Sequence, residues 1–280
     1  MPPGPTDLEH LSEPSALHAR LSTARPLDWG ERIPTKQAMV AAFGEDPTRR
    51  SLAMLTRAAE VEPQITADLS TSVPADASTY RLKNRLKSPH SLARKLKDRA
   101  DYYRRTKRPV EDLFRYTVAV DHPHDLTKAA VDTVARLRAR GWTMDSAHHS
   151  YVKGSRYKGL HVFLRTQGEL VELQVHSRES LDVKEQTTPL YEVERDPQQD
   201  RRVRETARQT CIALSDRMTH PAGIDELNEL GGVQVELRSY GKRRQESSAG
   251  PTTDTSGPTA SNKHQRSQHQ HHDKQNGLNR

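Results

Sequence analysis

YKGLHVFLRTQGELVELQVH, residues 157–176, sets the fold class and holds most of the candidate chemistry. Two runs of alternating apolar and polar residues flank Thr166-Gln167-Gly168-Glu169, the pattern of two antiparallel strands joined by a tight turn. In the second run Val171, Leu173 and Val175 alternate with Leu170, Glu172, Gln174 and His176. Together with Tyr157, His161 and Arg165, this is a heavy polar load for one sheet. Such a face looks at solvent or into a cleft.

Working outward, residues 142–152 read as a further strand and residues 125–140 as a helix. Leu126, Val131, Val134 and Leu137 form its inward face, and Gly141 ends it. Residues 113–120 are rich in β-formers. Ser88-Pro89 reads as a helix N-cap followed by proline at the first helical position, with Leu92, Leu96, Ala100 and Tyr103 on one face. Downstream, a helix is predicted from Arg178 and interrupted at Pro189. Another spans residues 201–218, with Cys211 in its apolar register. Helices and strands in this order predict an α+β fold, a mixed sheet flanked by helices.

This block, residues 80–220, is predicted to be the working domain. Residues 1–79 are punctuated by proline and predict a helical extension that packs on the core without carrying chemistry. Their better helix runs over 47–62, with Pro63 closing it, and 70–76 reads as a linker. Residues 221–240 form a C-terminal extension. Residues 241–280 hold only Ala249, Ala260 and Leu278 as hydrophobic residues, so a disordered polar tail is expected there.

Only 32% of the 280 residues are hydrophobic, mean hydropathy is −0.91, and the net charge of +7 favours anionic partners. Cys211 is the sole cysteine, which excludes an internal disulfide and a cysteine-based zinc site. No window approaches the ~20 apolar residues of a membrane span, and the N-terminus lacks the features of a secretory signal. A cytoplasmic protein with no membrane partner is expected.

Residues 81–108 carry twelve Lys or Arg against Asp98 and Asp101. Arg85 and Lys87 are placed on one side of an extended segment, with Lys95 two turns into the following helix. Basic side chains around a helix N-terminus suit a polyphosphate. A solvated basic helix and an RNA-binding surface are the other readings, although 5% aromatics provides few stacking platforms. Asp112 opens one strand and Glu172 lies inside another. If those strands are neighbours, the two carboxylates are placed to hold one Mg²⁺. Paired surface carboxylates are the plainer alternative. There is no Walker-type loop, G-x-S-x-G elbow or H-E-x-x-H motif.

In combination these pieces resemble the synthetase domain of the RelA/SpoT family, which makes (p)ppGpp alarmones in the stringent response. RLKSPHSLARK (85–95) is similar to the family's Arg-x-Lys-Ser…Lys segment and DLF (112–114) to its Asp-Leu metal motif. KGSRYKGLH (153–161) is similar to its acceptor loop, and VELQVHS (171–177) to its Val-Glu-Val-Gln-Ile-Arg-Thr strand. Glu185 falls where the family has a glutamate on the next helix. The resemblance covers residues 80–195.

The resemblance implies a nucleotidyltransferase-like synthetase fold and transfer of the β,γ-pyrophosphoryl group of ATP to the 3′-hydroxyl of GDP or GTP. It implies ATP contacts from Arg85, Lys87, Ser88 and Lys95. Asp112 and Glu172 become catalytic residues and Mg²⁺ ligands, with Glu172 also a base for the acceptor hydroxyl. Acceptor contacts come from Lys153, Tyr157, which stacks on the base, and His161. The family's His-Asp hydrolase domain has no counterpart in residues 1–79. Arg115, Tyr116, Thr117, Arg156, Gly159 and His176 depart from the family pattern, and Arg156 suits a polyanionic acceptor. A toxin-type relative acting on adenine nucleotides or the tRNA 3′ end, with an antitoxin partner, is the alternative. A non-catalytic nucleotide- or RNA-binding module is a third reading.

Overall fold

A computed structural model describes residues 7–241. Of the tail predicted over 241–280, residues 242–280 lie outside the described residues. The helices are α1 (Pro14–Ser22), α2 (Lys36–Phe43), α3 (Glu45–Ser72), α4 (Pro89–Asp98), α5 (Ala100–Thr106), α6 (Leu126–Ala139), α7 (Arg178–Arg195) and α8 (Arg201–Asp216). The strands are β1 (Ala77–Tyr80), β2 (Phe114–Val120), β3 (Thr143–His149), β4 (Leu160–Thr166), β5 (Glu169–Ser177), β6 (Glu229–Leu230) and β7 (Val233–Leu237). They form one mixed sheet in the order β1-β2-β5-β4-β3-β7-β6, and the fold is α+β. No described helix is long and apolar enough to cross a membrane.

The opening hairpin is β4-β5. Thr166 pairs with Glu169 across a two-residue loop, Gln167-Gly168, in which both residues have positive φ. That loop geometry matches the twist of the flanking strands, and Gly168 takes the second position without steric cost. The register then places Phe163 opposite Glu172 and His161 opposite Gln174.

β2 runs parallel to β5, pairing Arg115 with Glu172, Thr117 with Gln174 and Ala119 with His176. With a period of two, one face of the sheet carries Phe114, Tyr116, Val118, Val171, Leu173 and Val175, all buried in the core with α3 and α6. The opposite face carries Arg115, Glu172, Gln174, His176 and His161. This polar face does not look at solvent. α7 packs across it, with Lys184 Nζ donating to Gln174 Oε1 at 2.9 Å and Ser180 Oγ 3.0 Å from His176 Nδ1.

Two local expectations change. Pro63 does not close its helix, since α3 continues to Ser72 and takes in the first residues of the predicted linker. Proline removes one helical hydrogen bond and crowds the preceding turn, but Leu55, Ala58, Ile65 and Leu69 are fully buried on both sides of it and hold the helix through. Pro189 likewise lies inside α7. The N-terminal residues also join the main core, with Leu17, Leu21, Trp29 and Met39 buried in the same cluster as the sheet, and β1 pairs with β2. Cys211 is buried, as its register predicted.

Candidate active site

Asp112 precedes β2 and Glu172 lies in β5, and both carboxylates are buried, at 2% and 1% exposure. Arg115 joins them. Its Nη2 donates to Asp112 Oδ2 at 3.0 Å and its Nε to Glu172 Oε2 at 2.7 Å. Lys95 Nζ reaches Asp112 Oδ1 at 2.7 Å, and Lys87 Nζ reaches Asp112 Oδ2 at 3.0 Å. Burial alone raises the pKa of each carboxyl. Lys87, Lys95 and Arg115 outweigh it at Asp112, and Arg115 and His161 outweigh it at Glu172, so both stay below the usual carboxylate range.

The other oxygen of Glu172 anchors a buried chain. His161 Nδ1 lies 2.8 Å from Glu172 Oε1, and because an ionised carboxylate only accepts, that nitrogen carries the proton. His161 Nε2 then accepts from the Tyr157 hydroxyl at 2.9 Å, and the same hydroxyl accepts from His176 Nε2 at 3.0 Å. Burial lowers the pKa of both histidines, consistent with neutral rings. His148 stacks on His161, with ring centroids 4.8 Å apart and planes 6° from parallel. Gly159 makes the crossing possible. A Cβ there would come within 2.7 Å of the Tyr157 hydroxyl and 2.9 Å of the His176 ring.

Beside the cluster lies a cavity of about 360 Å³, within the range of small-molecule sites. Arg115, Gln174 and Lys184 form the wall nearest the carboxylates, and Tyr80, Arg81 and Glu185 line it further out. Glu185 holds this rim by accepting from Arg81 Nη2 at 2.7 Å and from the Tyr80 hydroxyl.

The residues singled out in the sequence separate into groups. Lys87, Lys95, Asp112, Glu172 and His161 come together. Ser88 caps α4, accepting from Ser91 N at 3.1 Å, and its hydroxyl also meets Glu31. Arg85 is elsewhere. It ends a short 3₁₀ turn in αR conformation, so it does not share a side with Lys87. Its guanidinium is fully buried against Glu62 and donates to the carbonyls of Pro26 at 2.8 Å and Leu21 at 3.0 Å. As folded it has no donor directed at ATP.

Tyr157 is also enclosed. It is only 8% exposed, with T-shaped contacts to His161, His176 and Tyr240, so little of the ring is open for base stacking. Lys153 is exposed on its loop, with no hydrogen bond or ion pair to the cluster. Arg156 is buried over the Tyr191 ring and paired with Glu194 at 3.3 Å, so it is not a surface for a polyanion.

The sequence reading missed Lys184 and treated Arg115 only as a departure from the family pattern. A signal for Lys184 was present. It falls on the α7 face that also contains Ser180, Leu181, Thr187 and Tyr191, all of them buried, and a lysine on an inward helical face is uncommon.

The Mg²⁺ expected at Asp112 and Glu172 needs free carboxylate oxygens. All four oxygens already take a donor, since Gln174 Nε2 also donates to Glu172 Oε1 at 3.0 Å. In this arrangement the pair does not fit a divalent ion. Among the described residues no group of three or more His, Cys, Asp or Glu side chains is placed to hold a metal.

No family model matches the chain, and no curated protein does. Solved structures with a similar arrangement include a GTP pyrophosphokinase family protein from Streptococcus pneumoniae. It is 15% identical with a TM-score of 0.34, covering 68% of this chain and 93% of that one. The small alarmone synthetase 1 from Bacillus subtilis bound to its product pppGpp is 14% identical with a TM-score of 0.33. There the coverage is 61% of this chain and 88% of that one.

Proposed function

We propose that this chain is a nucleotide pyrophosphokinase that transfers the β,γ-pyrophosphoryl group of ATP to the 3′-hydroxyl of GDP or GTP and releases AMP. The observation that carries this reading is the buried Asp112–Arg115–Glu172 cluster, held by Lys87 and Lys95, whose Arg115 lines a cavity of about 360 Å³ together with Lys184. Phosphoryl transfer asks the protein for positioning and charge stabilisation more than for covalent chemistry. Lys184 and Arg115 face the cavity and would bind the phosphates. Lys87 and Lys95 hold Asp112 in place.

On this reading Arg115 turns from Glu172 Oε2 to the phosphates, and that oxygen orients the acceptor hydroxyl and takes its proton. The Glu172 carboxylate is a weak base, which a loose transition state tolerates because the nucleophile bonds late. The His161–Tyr157–His176 chain fixes that carboxylate in one rotamer. Mg²⁺ belongs to this proposal as the ion carried by the ATP phosphates. Hydrolysis of the product is not part of the proposed activity.

The deciding experiment incubates the full chain with Mg²⁺, ATP labelled in its γ-phosphate, and separately GDP, GTP, AMP, ATP or tRNA. Label is expected in a 3′-pyrophosphorylated guanosine nucleotide. Label only in adenine nucleotides or tRNA would move the activity to the toxin type. No transfer, with ATP binding intact, would leave a binding module.

The cavity also sets a pH dependence. Burial, reinforced by Arg115, lowers the Lys184 pKa to about 8. The ammonium is charged below that pH and lost above it, so ATP affinity is expected to fall between about pH 7 and pH 9. Lys184→Arg keeps its charge throughout this range and should flatten the fall. Calorimetric titration of both proteins with a non-hydrolysable ATP analogue checks this, and an equal fall in both would refute it.

A further inference from the structure

Tyr80, at the end of β1, pairs with Thr117 of β2, and Thr117 pairs with Gln174 of β5. Side chains paired in this way point to one face of a sheet, so Tyr80 shares the polar face with Arg115 and Gln174. It stands two strand spacings, about 10 Å, from Gln174, which accepts from Lys184. The cavity spans this row. Its inner end is cationic, with Arg115 and Lys184, and its outer end carries Tyr80, the one aromatic side chain lining it among the described residues. Cations at one end and an aromatic ring at the other match the phosphates and the base of a nucleotide. Tyr157, the ring expected to stack on a base, is buried, so a base needs another platform.

We propose that Tyr80, together with Arg81, is that platform, and that it stacks the purine of the nucleotide whose phosphates reach Arg115 and Lys184. The Arg81 guanidinium lies over the Tyr80 ring, 5.3 Å from its centroid, which marks that face as one a flat group can use. Arg81 itself has a positive φ of 47°, uncommon for a residue with a Cβ. Its pair with Glu185 is half-exposed, at 45% and 48%, so little holds the guanidinium in place. A purine takes its position on the ring, and the guanidinium closes over the outer face of the base. The Tyr80 hydroxyl, donating to Glu185, keeps the ring in position. This inference rests on the proposed function only in taking the ligand to be a nucleotide.

The test is calorimetric titration of the full chain with three probes, a non-hydrolysable ATP analogue, GDP and inorganic tripolyphosphate, which has phosphates and no base. Tyr80→Ala is expected to weaken at least one of the two nucleotides by about tenfold, the scale of one lost base stack. Tripolyphosphate should bind within about twofold of the parent value. Tyr80→Phe keeps the ring and should retain nucleotide affinity within about threefold. The nucleotide that weakens identifies the base, adenine of the donor or guanine of the acceptor.

Unchanged affinity for both nucleotides in Tyr80→Ala would overturn the proposal, as would a parent protein that binds neither. An equal loss of nucleotide and tripolyphosphate would also overturn it, since Tyr80 would then only support the phosphate end. Tyr80→Leu is the second variant if the alanine chain fails to fold, because it keeps bulk at the sheet edge and removes the aromatic face. Binding is read without turnover. A chain that shows the expected losses yet transfers no pyrophosphate refutes the proposed function alone. Transfer by Tyr80→Ala with the parent KM for both nucleotides refutes this inference alone.

Discussion

Glu172→Gln is expected to lower pyrophosphoryl transfer by about a thousandfold, the scale of losing a preorganised electrostatic or proton-accepting group. The amide is nearly the same size, so the strand pairing of β5 with β2 and β4 is kept. The charge is not. Arg115 loses one of its two carboxylates, and His161 Nδ1 faces a group that no longer strongly prefers its proton. The acceptor hydroxyl then meets neither a base nor an anion to orient it. ATP should still bind, because the wall residues Lys184 and Arg81 are untouched.

The measurement pairs initial rates with calorimetric ATP binding, so that a loss in kcat is separated from a loss of ligand. A melting curve of the same variant separates chemistry from folding. Transfer within about threefold of the parent protein would remove Glu172 from the mechanism.

Arg85→Met is expected to act on the fold instead. Arg85 and Glu62 are buried partners, and the guanidinium also gathers the carbonyls of Leu21, Arg25, Pro26 and Leu82. It therefore ties α1 and the segment after it to α3 and to the turn between β1 and α4. Removing it strands the Glu62 charge and several carbonyls in the core. Breaking a buried pair in this way costs about 3–5 kcal/mol, which lowers the melting temperature by roughly 10 °C for a chain of this size.

Glu62→Met in the same chain should return part of that stability by removing the orphaned charge, although the carbonyls stay unpaired. Thermal melts of parent, single and double variants read this directly. ATP affinity of the folded fraction should be unchanged, because Arg85 packs with Glu62 under the Tyr116 face of β2 and Arg115 projects from the other. A variant that melts normally but no longer binds ATP would restore Arg85 to the nucleotide site.

Much of the fold was legible because periodicity is local. The alternation over residues 160–177 fixes which side chains share a face, and the Gln167-Gly168 turn sets the register of β4 against β5. The Ser88 cap and the helix ending near Gly141 were readable for the same reason. Pro63 and Pro189 were misread because local rules count what proline costs and cannot see the buried contacts that outweigh it.

In the site, the sequence singled out Asp112, Glu172, Lys87, Lys95 and His161 as candidates, since charged groups on an otherwise apolar framework need a reason to be there, and the structure brings them together. Only the tertiary structure decided who pairs with whom. The parallel β2–β5 register sets Arg115 beside Glu172, fifty-seven positions away in the chain. The same packing turned Arg85, Arg156 and Tyr157 inward to saturated partners and brought Lys184 from α7 to the cavity wall. A buried charge is settled by whichever opposite charge the fold brings within a few ångströms, and no spacing along the chain records that distance.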